Sequence, residues 1–214
     1  MVFKPVRAEQ LHEQLARRVG AVGLDDHADD ARRVRVGRRD RRSFGAGCGV
    51  ERTALREGVT RAEQDAWALR SHRLADEAWT AHLHDDWVLP VEGVTRDESI
   101  RPDTSAEQLA ALRPAFTKDG TVTAGNASPI NDGALAALVT NAEGLKELGA
   151  EPLGRIRASA TVAVEPDDFA MAPVPAIRRA AERAGVALGD LRVVELQEAF
   201  AAVVLSCLKH LPEL

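Results

Sequence analysis

The stretch from Gly120 to Gly133 constrains the fold of this 214-residue chain more than any other segment. It begins Gly-Thr-Val-Thr-Ala-Gly-Asn-Ala-Ser-Pro, which is a turn and a β-branched run followed by a loop of small residues. Glycine and alanine remove side chains from the path of anything that must approach the backbone. The sequence therefore predicts a turn whose main chain is open along one side.

Two helices are predicted before this turn, each opened by a capping box. The first box is Thr60–Glu63, and the helix that follows carries an apolar stripe and ends near Leu83. The second box is Ser105–Gln108, and its short helix stops before Pro114. The members of the stripe, at spacings of three and four, are Ala68, His72, Ala75, Trp79 and Leu83.

After the turn, the sequence predicts strands alternating with helices. Pro175 at the first turn and Gly185 past the end mark a helix at 175–184, and residues 198–211 predict another with Cys207 on its buried side. Residues 132–139 are small and apolar, as in a buried passage from helix to strand. Strand followed by helix, repeated, predicts an α/β layer architecture. The predicted strands are 87–91, 153–164 and 191–196.

Residues 1–52 differ from the rest of the chain. They hold 12 Lys and Arg against 8 Asp and Glu, and beyond a short predicted helix at 6–20 they show little apolar periodicity. We interpret them as an irregular leader. Three alternatives stay open: a solvated stretch without specific function, a basic arm on nucleic acid at 21–43, and a segment that is not an evolved protein sequence at all.

Composition excludes several function classes. The acidic balance after residue 52 disfavours nucleic acid as a partner. Cys48 and Cys207 form neither a CxxC pair nor a metal-ligand cluster, so we predict no metal site and a reducing, cytoplasmic location. No apolar run is long enough for a signal peptide or a membrane span, so we predict no membrane partner.

Three blocks of sequence, in this order, resemble the thiolase family of acyl-CoA C-acyltransferases. The first is Thr-Arg-Ala-Glu-Gln-Asp-Ala-Trp at 60–67, continuing to Ser-His at 71–72. The second is Pro-Ala-Phe at 114–116 and the small-residue turn up to Asn-Asp-Gly-Ala at 131–134. The third is Pro-Val-Pro-Ala at 173–176 with Glu-Leu-Gln-Glu-Ala-Phe at 195–200. Together the blocks cover about residues 53–212.

The resemblance implies an α/β fold that is a partial thiolase fold. Residues 53–120 would form the loop domain that covers coenzyme A in the family. Residues 121–214 would form the end of the N-terminal half and the first part of the C-terminal βαβα half. Such a chain exposes sheet edges and apolar faces meant for a partner, so we expect marginal stability, or association as a homo-oligomer or through those faces.

The resemblance also implies which residues contact coenzyme A, a substrate rather than a permanently bound cofactor. The expected contacts are with the adenine end, the apolar wall, the pantetheine arm and the inner end of the tunnel. The alternative is ordinary core packing for the leucine and the two phenylalanines among them, a solvated surface charge for the arginine and a helix cap for the serine. In the order of those four regions they are Arg101; Leu112 and Phe116; Ala124, Ala127 and Ser128; Ala199 and Phe200.

The catalytic residues of the family have no clear counterpart in this chain. The family uses a cysteine thiolate, a histidine and a second cysteine. Cys48 lies too close to the first block to match the nucleophile, and Cys207 is placed as a small core hydrophobe. Gln197 occupies the position of the family's oxyanion-orienting Asn, with one more methylene. Further departures are Pro129, Ala170 and Ala172 at family glycines.

The resemblance therefore predicts a thiolase-type acyltransferase, performing Claisen condensation or thiolysis of acyl-CoA, that is inactive as this chain alone. The alternative is a non-catalytic acyl-CoA-binding or scaffold remnant. A truncated gene with its upstream part read out of frame would explain both the missing residues and the arginine-dense leader.

Overall fold

The computed structural model describes residues 45–131 and 133–214. The predicted helix at 6–20 and the arginines between 32 and 42 lie outside these residues. Within them, the α-helices are α1 (Ala46–Arg56), α2 (Arg61–Thr80), α3 (Ala106–Ala110), α4 (Ala142–Leu148), α5 (Pro173–Ala184) and α6 (Ala201–Lys209), with 3-10 helices at Pro166–Met171 and Leu188–Asp190.

Helix α1 forms one wall of the core. Val50 and Ala54 are buried, and the helix packs against α6 and the 3-10 helix at 166–171. Its glycines allow close approach, since a Cβ on Gly47 would lie 2.2 Å from the Phe116 ring. Assigning residues 46–52 to an irregular leader was therefore wrong. Glycines disfavour a helix by propensity, and here tertiary packing overrides that preference.

Both predicted capping boxes are confirmed. The Thr60 hydroxyl accepts from the Glu63 amide at 3.2 Å, and the Glu63 carboxylate accepts from the Thr60 amide at 2.7 Å. Helix α2 ends at Thr80, three residues before the predicted end, and a turn follows in which the rings of Trp79 and His84 stack with centroids 4.5 Å apart. Ser105 opens α3 in the same way as Thr60 opens α2.

The two C-terminal helices follow the sequence closely. Helix α5 begins with proline and is terminated by Gly185, whose φ of 66° is left-handed. In α6, Cys207 is fully buried, as predicted, together with Val204. The predicted helix from 198 starts only at Ala201, because residues 199–201 bond to the small-residue turn instead.

The strand predictions were wrong for all three segments. Among the described residues there is no regular strand, only isolated bridges joining Val91 to Val94, Pro114 to Thr123, and Ala127 to Phe200. A strand exists only through hydrogen bonds to a neighbouring strand. Residues 153–164 and 191–196 have strand-forming sequences, but no described segment pairs with them in a ladder.

The passage predicted to be buried at 132–139 was also wrong in its described part, 133–139. Leu135 is 88% exposed, and Val139 is exposed as well. Helix α4 follows, capped by Asn141, whose side chain accepts from the Gly144 amide. Sequence analysis did not find this helix, although an Asn cap and a terminal glycine enclose it.

The core lies between α1, the small-residue turn, the 3-10 helix at 166–171 and α6. It is compact around Val50 and Val122, both with no exposed surface. No helix in the described parts of the chain is long and apolar enough to cross a membrane. The remaining core members are Ala54, Val59, Ala170 and Ala202.

Candidate functional site

The small-residue turn at 120–128 is held on its buried side by the carboxylate of Glu51. This carboxylate accepts from the amides of Thr121 at 2.8 Å and Val122 at 3.0 Å, and from the Thr121 hydroxyl at 3.0 Å. Gly120 must lack a side chain here, because its Cβ would lie 2.1 Å from the Glu51 carboxylate. Helix α1 therefore fixes the first half of the turn by satisfying its main-chain donors.

Asn126 fixes the second half of the turn. Its side-chain oxygen accepts from the Thr123 amide at 2.8 Å. Its amide nitrogen donates to Asp65 at 2.9 Å and to the Thr121 carbonyl at 3.0 Å. Asn126 thus uses its donors and its acceptor to close the loop on itself and to tie it to α2.

Gln64 and Arg61 extend this network along α2. The fully buried Gln64 side chain donates to the Thr121 hydroxyl at 2.9 Å. Arg61 pairs with Asp65 at 2.7 Å and donates to two carbonyls at the end of α3, those of Leu109 and Leu112. The network joins α1, α2 and α3 around one turn, and its members combine charge-assisted hydrogen bonds with burial.

The outer side of the turn carries several of the predicted coenzyme A contacts. Ala124 and Ser128 are exposed, and Ala127 is half-buried. Phe116 and Phe200 meet edge to face with ring centroids 6.0 Å apart. The two main chains join here, because the Ser128 amide donates to the Ala199 carbonyl at 2.9 Å and the Ala201 amide to the Asn126 carbonyl at 3.0 Å.

Leu112 lies at the edge of this surface. A Cβ on Gly125 would lie 2.6 Å from a Leu112 methyl and 2.5 Å from a Leu109 methyl, so both leucines pack on the turn. Leu109 is buried, whereas Leu112 is 38% exposed. The structure therefore brings Leu112, Phe116, Ala124, Ala127, Ser128, Ala199 and Phe200 together around one loop.

Arg101 is placed against α2 rather than on the turn. Its main-chain amide donates to Nδ1 of His72 at 3.2 Å, and the residue is exposed. The pKa of His72 is lowered, first by burial and then by the nearby positive charge of Arg101. His72 is therefore a neutral acceptor near pH 7.

Gln197 lies at a cavity that none of the turn residues lines. This cavity of about 290 Å³ lies between α5 and α6, and Leu196 and Cys207 line it as well. Burial raises the pKa of the Cys207 thiol to about 11, and the sulfur donates to the Ala170 carbonyl at 3.5 Å. The thiol is therefore protonated at neutral pH, which makes it a poor nucleophile.

Cys48 lies half-buried in the first turn of α1. Across residues 45–131 and 133–214, no three His, Cys, Asp or Glu side chains are grouped so that they could hold a metal ion.

Sequence reasoning missed the residues that build the turn. Gln64 and Asp65 were noticed only as part of a motif, and Glu51 was placed in the leader. These polar side chains lie next to apolar residues that belong to the core, which is a signal that they are buried as well. A buried polar group needs a hydrogen-bond partner. That partner turned out to be the main chain of a loop distant in sequence, which no local pattern reveals.

Comparison with known proteins places this geometry in a family. Residues 39–143 match the model of the thiolase N-terminal domain, and residues 150–213 match that of the thiolase C-terminal domain. The 3-ketoacyl-CoA thiolase of Aliivibrio fischeri is 43% identical over 175 residues, covering 77% of this chain and 45% of the relative. That of Colwellia psychrerythraea is 42% identical with the same coverage.

Solved structures agree with the sequence matches. Human mitochondrial 3-ketoacyl-CoA thiolase in complex with CoA has a TM-score of 0.74 at 38% identity, over 77% of this chain and 42% of that one. Bacillus anthracis acetyl-CoA acetyltransferase has a TM-score of 0.71 at 39% identity, over 78% and 44%. The predicted partial thiolase fold is confirmed, although the described residues form no regular strand. The chain spans less than half the length of these relatives, and it belongs to the thiolase family.

Proposed function

We propose that the outer face of the turn at 120–128 is an acyl-CoA-binding surface of a thiolase-type acyl-CoA C-acyltransferase. The observation that carries this proposal is that the main chain of the turn is hydrogen-bonded on its buried side and accessible to solvent on its outer side. Glu51 and Asn126 hold the main chain from within, while Ala124 and Ser128 leave it accessible from without. A pantetheine arm requires small residues and main-chain polar groups on one side and apolar contact on the other.

The apolar side is supplied by Phe116, Phe200 and Leu112. These side chains border the turn and keep part of their surface exposed. The human relative of known structure is described as a complex with CoA, which supports coenzyme A as the ligand class. Arg101 lies against α2, and in our proposal its charge meets the phosphate-bearing adenine end of the ligand.

Isothermal titration with coenzyme A tests the binding proposal. Ala124→Glu places a bulky anion on the open side of the turn, so we expect affinity to fall at least about tenfold through steric and charge repulsion. Ala137→Glu is the matched control, because Ala137 is also exposed but lies outside the turn. Equal affinity of the two variants, or no binding by the unmodified chain, would reject the proposal.

We further propose that this chain does not catalyse acyl transfer alone and acts as an acyl-CoA-binding or scaffold unit. This is supported by the buried Cys207, whose raised pKa keeps its thiol protonated, and by the position of Gln197 in the cavity between α5 and α6. A thiolysis assay with acetoacetyl-CoA and free coenzyme A separates the two functions. Turnover by the purified chain would favour the catalytic alternative.

Association is the third part of the proposal. The segments at 153–164 and 191–196, which form neither helix nor regular strand, expose apolar side chains, among them Ile156 at 73% and Val193 at 84%. Exposed apolar side chains together with main chain that no described segment pairs with favour association with another chain. We expect a mass above 23 kDa by light scattering at micromolar concentration, and a monomer at every concentration would contradict it.

A further inference from the structure

The segment 197–200 connects two parts of the candidate site. At one end, Gln197 lines the cavity between α5 and α6. At the other end, Ala199 and Phe200 dock on the small-residue turn through main-chain hydrogen bonds and the contact with Phe116. Whatever fixes the middle of this segment therefore controls both ends.

Glu198 occupies that middle position, and its carboxylate is held by helix α2. Oε1 accepts from the indole Nε1 of Trp67 at 3.1 Å, and Oε2 accepts from the Ser71 hydroxyl at 2.6 Å. Trp67 and Ser71 are four residues apart, so they lie on the same face of the helix. Each carboxylate oxygen thus has its own donor, and the side chain is fixed in position and in rotation.

The rest of the segment is held by ring packing and main-chain contacts. Phe200, the residue before α6, packs against Phe116 and the core cluster. Two main-chain hydrogen bonds, from the Ser128 and Ala201 amides, hold the segment on the turn. Short loops attached by so few bonds open locally with little cost unless a side chain restrains them.

We propose that Glu198 is a positioning residue, which turns Gln197 toward the cavity and keeps Ala199 and Phe200 docked on the turn. Its carboxylate contacts Trp67 and Ser71 and acts on the site through its neighbours. The part of this inference that concerns ligand affinity rests on the proposed coenzyme A site. The part that concerns the segment itself does not.

Amide hydrogen exchange on the full chain tests the inference directly. In Glu198→Ala, we expect the Ser128 and Ala201 amides to exchange about tenfold faster or more, the change that the loss of a charge-assisted hydrogen bond brings to a local opening. The amides of Val59 and Leu109, which donate within other parts of the fold, keep their rates. Glu182→Ala, an exposed glutamate on α5, is the matched control and changes none of them.

Conservative variants separate positioning from general stabilisation. Glu198→Gln retains an oxygen for Trp67 and an amide that donates to Ser71, so it restores slow exchange. Glu198→Asp is one methylene shorter and does not. Unchanged rates at Ser128 and Ala201 in Glu198→Ala, or faster exchange at all four amides alike, would overturn the inference.

Coenzyme A titration of the same variants provides the second readout. We expect Glu198→Ala to weaken binding at least about fivefold and Glu198→Gln to restore it, because docking of Phe200 forms the apolar side of the surface. If the unmodified chain binds no coenzyme A, the proposed function fails while the exchange rates still decide the role of Glu198. Faster exchange with unchanged affinity would reject the link between Glu198 and the ligand surface.

Discussion

The turn at 120–128 and the segment at 153–164 are both non-helical and form no regular strand, yet they are stabilised very differently. In the turn, buried side chains of Glu51 and Asn126 satisfy the amides, and Val122 is fully buried. In the segment at 153–164, Arg183 of α5 donates to the Ser159 carbonyl, while Leu153 and Ile156 remain exposed. Polar side chains on neighbouring helices can thus replace a sheet for a short loop.

In a longer segment, a few polar side chains do not satisfy all the main-chain groups that a neighbouring strand would satisfy. Alternate residues at 158, 160 and 162 are half-buried and those between them exposed, which is the pattern of a strand with one covered face. Such a segment reaches its full stability only when a neighbouring strand satisfies its edges. We therefore expect substitutions to have large effects on the turn and small effects on the extended segments.

Removing the Glu51 side chain is the strongest test of this difference. Glu51→Ala leaves the part-buried amide of Thr121 and the buried amide of Val122 without an acceptor, and each unsatisfied donor costs about 1–3 kcal/mol when buried. We expect the free energy of unfolding to fall by about 3 kcal/mol, measured by urea denaturation. Glu147→Ala, on the exposed surface of α4, should change it by less than about 0.5 kcal/mol. Equal effects would show that the carboxylate is not what holds the turn.

A pair of valines compares the two regions with the same chemical change. Val122→Ala removes two buried methyl groups and leaves a cavity, so we expect a loss of about 2 kcal/mol. Val193→Ala removes the same atoms from a side chain that is 84% exposed, and the loss should stay within about 0.5 kcal/mol for the isolated chain. Both are read by urea denaturation at concentrations where light scattering finds one species. A large loss for Val193 would mean that its segment is already buried in an assembly.

The sequence predicted the helices better than the rest of the fold, and the reason is local. Caps at Thr60 and Ser105, the proline at the start of α5 and Gly185 at its end act within a few residues of themselves. Strand formation depends on a distant partner, so the β-branched runs at 153–164 and 191–196 predicted strands that the described residues do not pair. Local pattern indicates what a segment prefers, and pairing decides what it forms.

The candidate site shows the same division. The small residues of the turn can be read from the sequence, which predicts a main chain open along one side. In the structure, Ala124 and Ser128 are exposed on that side. The side chains that support its buried side, Glu51 and Asp65, lie 71 and 61 residues before the residues that they bind. Which carboxylate meets which amide is a property of tertiary packing, and a single sequence does not contain that information in local form.

A pair of glycines tests how closely the support fits the turn. A Cβ at Gly120 would lie 2.1 Å from the Glu51 carboxylate, which cannot move without losing its hydrogen bonds. We expect Gly120→Ala to cost about 1–3 kcal/mol, as overpacking does elsewhere. Gly154→Ala, in the extended region, meets no atom within 4 Å and should be neutral or stabilising by up to about 1 kcal/mol. Thermal unfolding of both variants gives the comparison, and similar losses would contradict it.

The last comparison is the alkaline titration of Cys207, which tests whether the core around this thiol is as closed to solvent as the buried side of the turn. Because burial raises the pKa of this thiol to about 11, the folded protein keeps the proton at pH values where the unfolded chain, with its ordinary pKa near 9, loses it. The stability that comes from burying the neutral thiol is therefore complete below about pH 9 and is lost as pH rises toward about 11. In Cys48→Ser, Cys207 is the remaining thiol, and its reaction with a disulfide reagent should be slow at pH 8 and limited by opening of the core. Rapid labelling at pH 8 under native conditions would show that α6 opens without unfolding, and the two regions would then differ less than their hydrogen bonds indicate.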